Sequence, residues 1–140
     1  MESVTTHTLF ITGNPRPKGS WTPFRRKNGT LGMHHSSARV AAWCREAAKQ
    51  VKAQYTGPLY DCPIHTTFIF LMERGSKAAA KRKYPTSPFD GDLDKLVRGL
   101  LDSMTGVVYK DDRLVVKSSE EKIHTDGEPG VQITITTDGL

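Results

Sequence analysis

Asp92-Leu93-Asp94-Lys95-Leu96-Val97-Arg98-Gly99-Leu100-Leu101-Asp102-Ser103-Met104-Thr105-Gly106, continuing as Val107-Val108-Tyr109-Lys110-Asp111-Asp112-Arg113-Leu114-Val115-Val116, decides how this 140-residue chain is read. Leu93, Leu96, Val97, Leu100, Leu101 and Met104 recur at i, i+3, i+4, i+7, i+8 and i+11, and the opposite face carries no apolar residue. That period predicts an amphipathic helix over 93–104 that buries one stripe. Asp92 stands as its N-cap and Thr105-Gly106 as its terminator. Gly99 inside the helix costs roughly 1 kcal/mol relative to Ala and suits close packing.

Upstream, Ile64 to Met72 (IHTTFIFLM) is rich in β-branched and aromatic residues and predicts a central strand. Val40, Trp43, Cys44, Ala47, Ala48, Val51 and Tyr55 give a first helical stripe, with Ser36 or Ser37 as N-cap and Gly57-Pro58 as the stop. His7 to Thr12 reads as a first strand ended at Gly13-Asn14-Pro15, and Asn28-Gly29 predicts a hairpin turn. A long basic loop spans about residues 73–91, longer than most ordered connections. Downstream, Arg113 to Lys117 and Val131 to Thr137 predict two last strands around a polar turn at about 124–130, with a solvated tail from Glu120 onward. The order β, hairpin, α, β, α, β, β predicts one α+β domain over residues 1–140, with two main helices on one face of a mixed sheet.

Composition narrows the class. The chain is 36% hydrophobic, which is too apolar for a disordered protein. Its longest apolar run, Phe68 to Met72, is far short of the ~20 residues a membrane span needs, so no membrane partner is expected. No secretory signal is visible at Met1 to His7, and Cys44 and Cys62 lack metal or disulfide spacing. Both read as buried, reduced thiols of a cytosolic protein. The net +5 hides a split: residues 1–83 hold 14 Lys/Arg and 4 Asp/Glu, whereas residues 84–140 hold 6 and 11. A basic first part points to a polyanionic partner, and the clustered acids need a cation if they are to meet it.

Those acids bracket the second helix. Asp92 and Asp94 share its N-terminal end, where the helix dipole favours negative charge. The chain then turns at Gly106 and is expected to return Asp111 or Asp112 near that pair. Carboxylates gathered in one mouth cannot all stay ionised without a cation. Mg²⁺, with Mn²⁺ as a substitute, takes such oxygen ligands together with water and phosphate, which suggests metal-assisted phosphodiester hydrolysis. Arg98 lies one turn after Asp94 and either pairs with it or reaches a scissile phosphate. Asp102 is read as a structural partner of Arg98. A purely structural reading stands beside this one: Asp-x-Asp as a helix cap and Asp-Asp as a turn.

The sequence resembles the RusA family of Holliday junction resolvases, many of them encoded by bacteriophages and prophages. The resemblance rests on Asp92-Leu93-Asp94-Lys95-Leu96-Val97-Arg98, on Leu101-Asp102-Ser103-Met104-Thr105-Gly106, and on Val107 to Val116 with its Asp111-Asp112 pair. It is strongest over about 88–118, with a Pro17-Lys18-Gly19 loop and a first helix as weaker support. It implies a small Mg²⁺-dependent homodimeric endonuclease acting on branched DNA, the four-way junction, in a bacterial or phage-infected host cytoplasm. It further implies that Asp92, Asp94 and Asp112 are catalytic metal ligands, with Asp111 beside them. Arg98 falls where the best-known members carry Lys, Gly91 where Pro is common, and Leu114 where many carry Gln. Given that chemistry, Lys18, Lys77, Lys81, Arg82 and Lys83 are DNA-contact candidates. Trp21, Phe24 and Phe89 are read as core or dimer packing, with stacking on unpaired bases as the alternative, and His34-His35 lacks a third zinc ligand. The competing function is a non-catalytic basic DNA-binding protein. A third, phosphoryl transfer onto an Asp as in receiver domains, lacks the regular βα alternation it would need.

Overall fold

The computed structural model describes residues 5–16, 22–34, 38–74, 82–86 and 91–137, without the side chains of 22–24 and 31–34. Strands β1 (Thr6–Thr12), β4 (Ile64–Glu73), β5 (Val115–Thr125) and β6 (Gly130–Thr136) form a mixed sheet in the order β1-β6-β4-β5. The β1–β6 and β4–β6 pairs are antiparallel and β4–β5 is parallel. Strands β2 (Thr22–Arg25) and β3 (Leu31–His34) form a separate hairpin around Asn28-Gly29, where Gly29 takes a φ of 87°. Helices α1 (Ala38–Gln54) and α2 (Leu93–Met104) complete the α+β domain.

Alternation along β4 builds the core. Ile64, Thr66, Phe68, Phe70 and Met72 are buried, while the residues between them are partly exposed. Trp43, Ala47 and Val51 of α1 and Leu96, Leu100 and Met104 of α2 are buried together with Phe68, Phe70, Val131, Ile133 and Ile135. The outer edge of β1 is closed by α1 side chains. The Gln54 amide accepts from Phe10 N and donates to Phe10 O, and Gln50 does the same for Thr12. Two side-chain amides thus satisfy an edge that would otherwise pair with another chain.

Two expectations change. β5 runs on to Thr125, so residues 120–125 are strand and not a solvated tail. Full-length parallel pairing with β4 overrides a weak local preference, as sheet context commonly does. The cysteines are free, but Cys44 is half-buried and Cys62 exposed, because Cys62 lies in the open turn before β4. Among the described residues no helix is long and apolar enough to cross a membrane.

Candidate active site

α2 is approached through a turn that only glycine enters without strain: Gly91 has φ 81°, in the left-handed region. Proline, fixed near −65°, is excluded there, so Gly91 defines this turn. The Nζ of Lys122 on β5 donates to Gly91 O at 2.7 Å and pins the turn to the sheet. Asp92 follows in extended backbone at the N-cap position, yet its side chain makes no cap hydrogen bond. Only its carbonyl serves the helix, accepting from the backbone N of Lys95 and of Leu96, both at 3.1 Å. The carboxylate lies 3.5 Å from Lys95 Nζ and is 71% exposed. Asp94, in the first turn, is exposed as well. Two carboxylates therefore stand at the positive end of the helix dipole without capping the helix.

The basic loop is tied to the same end. His124 N donates to Lys83 O at 2.8 Å, two residues along β5 from Lys122. Arg74 donates to Arg82 O at 2.5 Å and to the Asp126 carboxylate at 2.7 Å, clamping the loop to the turn before β6. The backbone of Arg82 and Lys83 is thus held against the end of β5, two residues from the Lys122 that pins the turn before Asp92. Lys18, Lys77 and Lys81 lie outside the described residues, as do Trp21, Phe89 and the candidate caps Ser36 and Ser37.

At the other end of α2, Gly106 with φ 83° stops the helix. The chain then runs beside Tyr60, the residue whose N donates to Val108 O at 2.9 Å and whose carbonyl accepts from Lys110 N at 3.0 Å. Tyr109 is fully buried and donates its hydroxyl to Leu101 O at 2.6 Å; burial pushes its phenol well above the ordinary value. Asp111 and Asp112 follow, and they differ. Asp111 accepts from Arg113 N at 2.9 Å, which caps a short 3₁₀ turn over Asp112–Leu114 and holds its carboxyl below the ordinary value. Asp112 is shifted upward: partial desolvation, then the Asp111 carboxylate, then the charge of Asp102 disfavour its ionised form. Asp102 therefore belongs electrostatically to this second acidic group.

One chain does not gather all these acids. α2 has 12 residues, about 18 Å at 1.5 Å per residue, and it separates the Asp92–Asp94 end from the Asp102–Asp112 end. The expected return of Asp111-Asp112 to the first pair does not occur: the chain after Gly106 leads into the start of β5, whereas Asp92 sits by Lys122 far along that strand. Among the described residues no group of three His, Cys, Asp or Glu stands close enough to hold a metal ion. Exposed Arg98 lies between the two ends, on the same face as Asp94 and Asp102.

The family model for Endodeoxyribonuclease RusA matches residues 13–136, a span that includes both acidic groups and all of β5. The chain belongs to the RusA endodeoxyribonuclease family. No curated protein matches it. For a RusA-family nuclease, the two ends of α2 are the natural places to test for a cation. Asp92 and Asp94 suit Mg²⁺, which binds through one or two carboxylates and completes its shell with water and phosphate. The Asp111–Asp112 pair is also short of positive charge, since Asp112 resists ionising beside its neighbours.

Sequence reading misses Lys122 and Arg74. Lys122 lies in the stretch whose composition reads as a tail, and nothing local marks it as the residue that holds Gly91. Arg74 reads as one cation among several in a long loop.

Proposed function

We propose that this RusA-family protein is a Mg²⁺-dependent endonuclease that resolves four-way DNA junctions by paired symmetric nicks, in the cytoplasm of a bacterium or a phage-infected host. The carrying observation is Asp92, which occupies the N-cap position but makes no cap hydrogen bond. Side-chain capping does not account for it, and its neighbour Asp94 is exposed to solvent as well.

Asp92 and Asp94 hold the cation, with Mn²⁺ able to replace Mg²⁺. When bound, the cation lowers the pKa of the attacking water and stabilises charge on the scissile phosphate. Arg98 offers the phosphate a bidentate partner as charge develops. Arg82 and Lys83 hold the strand by its backbone. Water adds to phosphorus, the P–O3′ bond breaks, and the 3′ oxygen leaves as a hydroxyl, so the products carry a 5′-phosphate and a 3′-hydroxyl.

A homodimer suits this reading twice. A two-fold pair supplies one site for each of two opposed strands. It also offers a way for Asp112 to serve as a ligand: a copy whose α2 runs antiparallel sets its Asp112 end beside Asp92 and Asp94. Purified protein with Mg²⁺ should convert a synthetic four-way junction into ligatable nicked duplexes. A junction that is bound but stays intact over a full Mg²⁺ titration, by folded dimeric protein, sinks the proposal in favour of a non-catalytic DNA-binding protein.

A further inference from the structure

We infer that the solvent face of α1 is a duplex-DNA contact that grips one arm of the branched substrate by its phosphates; the identity of that DNA rests on the nuclease reading above. Arg45, Lys49 and Lys52 are exposed at i, i+4 and i+7, on the face opposite the buried Val40, Ala47 and Val51. None of the three makes an ion pair or side-chain hydrogen bond among the described residues. The helix's single acid, Glu46, accepts from Gln50 at 3.2 Å.

This charge pattern does not serve the helix. The first turn of α1 contains no acid, and Arg39 stands there against the positive end of the dipole. A surface face evolved only for solubility mixes signs at i, i+4 and gains a little from each pair. Here the charges at i, i+4 and i+7 are all cationic, and small exposed Ala41, Ala42 and Ala53 flank them, which lets a bulky partner approach.

Spacing and position fit a duplex. Arg45 to Lys52 spans about 10 Å of helix axis at 1.5 Å per residue. Phosphates of one DNA strand repeat about every 3.4 Å along the duplex axis, so three of them fall within that span. The stripe also begins beside the nuclease element: Ser103 of α2 donates to the carbonyl of Cys44, the residue before Arg45. α1 and α2 therefore meet at the C-terminal end of α2, next to Asp102, close to where the stripe begins.

The test compares wild type with the triple variant Arg45→Gln, Lys49→Gln and Lys52→Gln. Binding to a fluorescent four-way junction is followed without divalent ions from about 50 to 200 mM salt. Gln has nearly the helix propensity of Lys and Arg, so α1 persists, as circular dichroism and sedimentation will verify. The expected result is about tenfold weaker binding at mid-range salt, with a log–log slope shallower by about 0.9 for each phosphate no longer neutralised. An unchanged slope overturns the inference. So does weaker binding traced to loss of the dimer, which would make the face a docking surface for the acidic face of a second copy. Cleavage is scored separately with Mg²⁺. Wild type that binds with the steep slope but never cuts removes the nuclease reading and leaves this one, and cutting with an unaltered variant slope does the reverse.

Discussion

α1 and α2 solve the same packing problem and present opposite chemistry. Each buries an apolar stripe in one core: Ala47 and Val51 of α1 and Leu96 and Leu100 of α2 are fully buried. Outward, α1 shows Arg45, Lys49 and Lys52, whereas α2 shows Asp94, Arg98 and Asp102 with Asp92 at its entrance. Burial thus fixes where a helix lies and leaves its outer face open to function. A duplex drawn to α1 by charge would be repelled by α2 unless a cation stands between them.

The buried faces should respond alike to truncation, which bounds the comparison from the inside. Leu100→Ala should cost about 2–5 kcal/mol of stability and Val51→Ala about 1–3, read by urea unfolding. If only one of the two matters, the helices do not share a core. Gly91→Ala forces a β-carbon into the left-handed region at a cost of about 1–2 kcal/mol, and displaces the turn that sets Asp92. Cleavage should therefore fall more steeply than thermal stability.

The smallest effect, in stability terms, should carry an unusual sign. A carboxyl whose folded pKa is raised adds stability that is full below its ordinary value and lost as pH rises through the raised one. Asp112→Asn keeps the side chain neutral, so thermal stability at neutral pH should rise slightly. Cleavage should be lost in the same variant. Unchanged or lowered stability would mean that Asp112 is not strained by Asp111 and Asp102. A stabilising substitution that removes activity is the mark of a residue kept for function.

α2 is legible in the sequence from end to end because its apolar period is clean and its ends carry a loop acid and a glycine. β4 is legible for a similar reason, a run of β-branched and aromatic residues. The remainder of β5 is not: Ser118-Ser119-Glu120-Glu121 has the composition of a solvated segment, and only pairing with β4 makes it a strand. That composition also hides Lys122, which fixes Gly91. Asp92 and Asp94 are readable as neighbours at one helix end, because two residues of separation constrain them. The position of Asp112 is not, because nothing local tells whether the chain after Gly106 doubles back along α2 or runs past Tyr60 into the start of β5. The α1 stripe is visible as charge excess, but that its cations form no ion pairs among the described residues emerges only once the side chains are placed.

The acidic face of α2 is most directly tested by Asp94→Asn, which removes one carboxylate charge while keeping its shape. The variant and wild type should bind a four-way junction with the same salt dependence, while cleavage in Mg²⁺ falls more than about a hundredfold, beyond what loss of a merely supporting group around a metal produces. Cleavage by Asp94→Asn at close to the wild-type rate would contradict the assignment and return Asp92 and Asp94 to the role of helix-end charges.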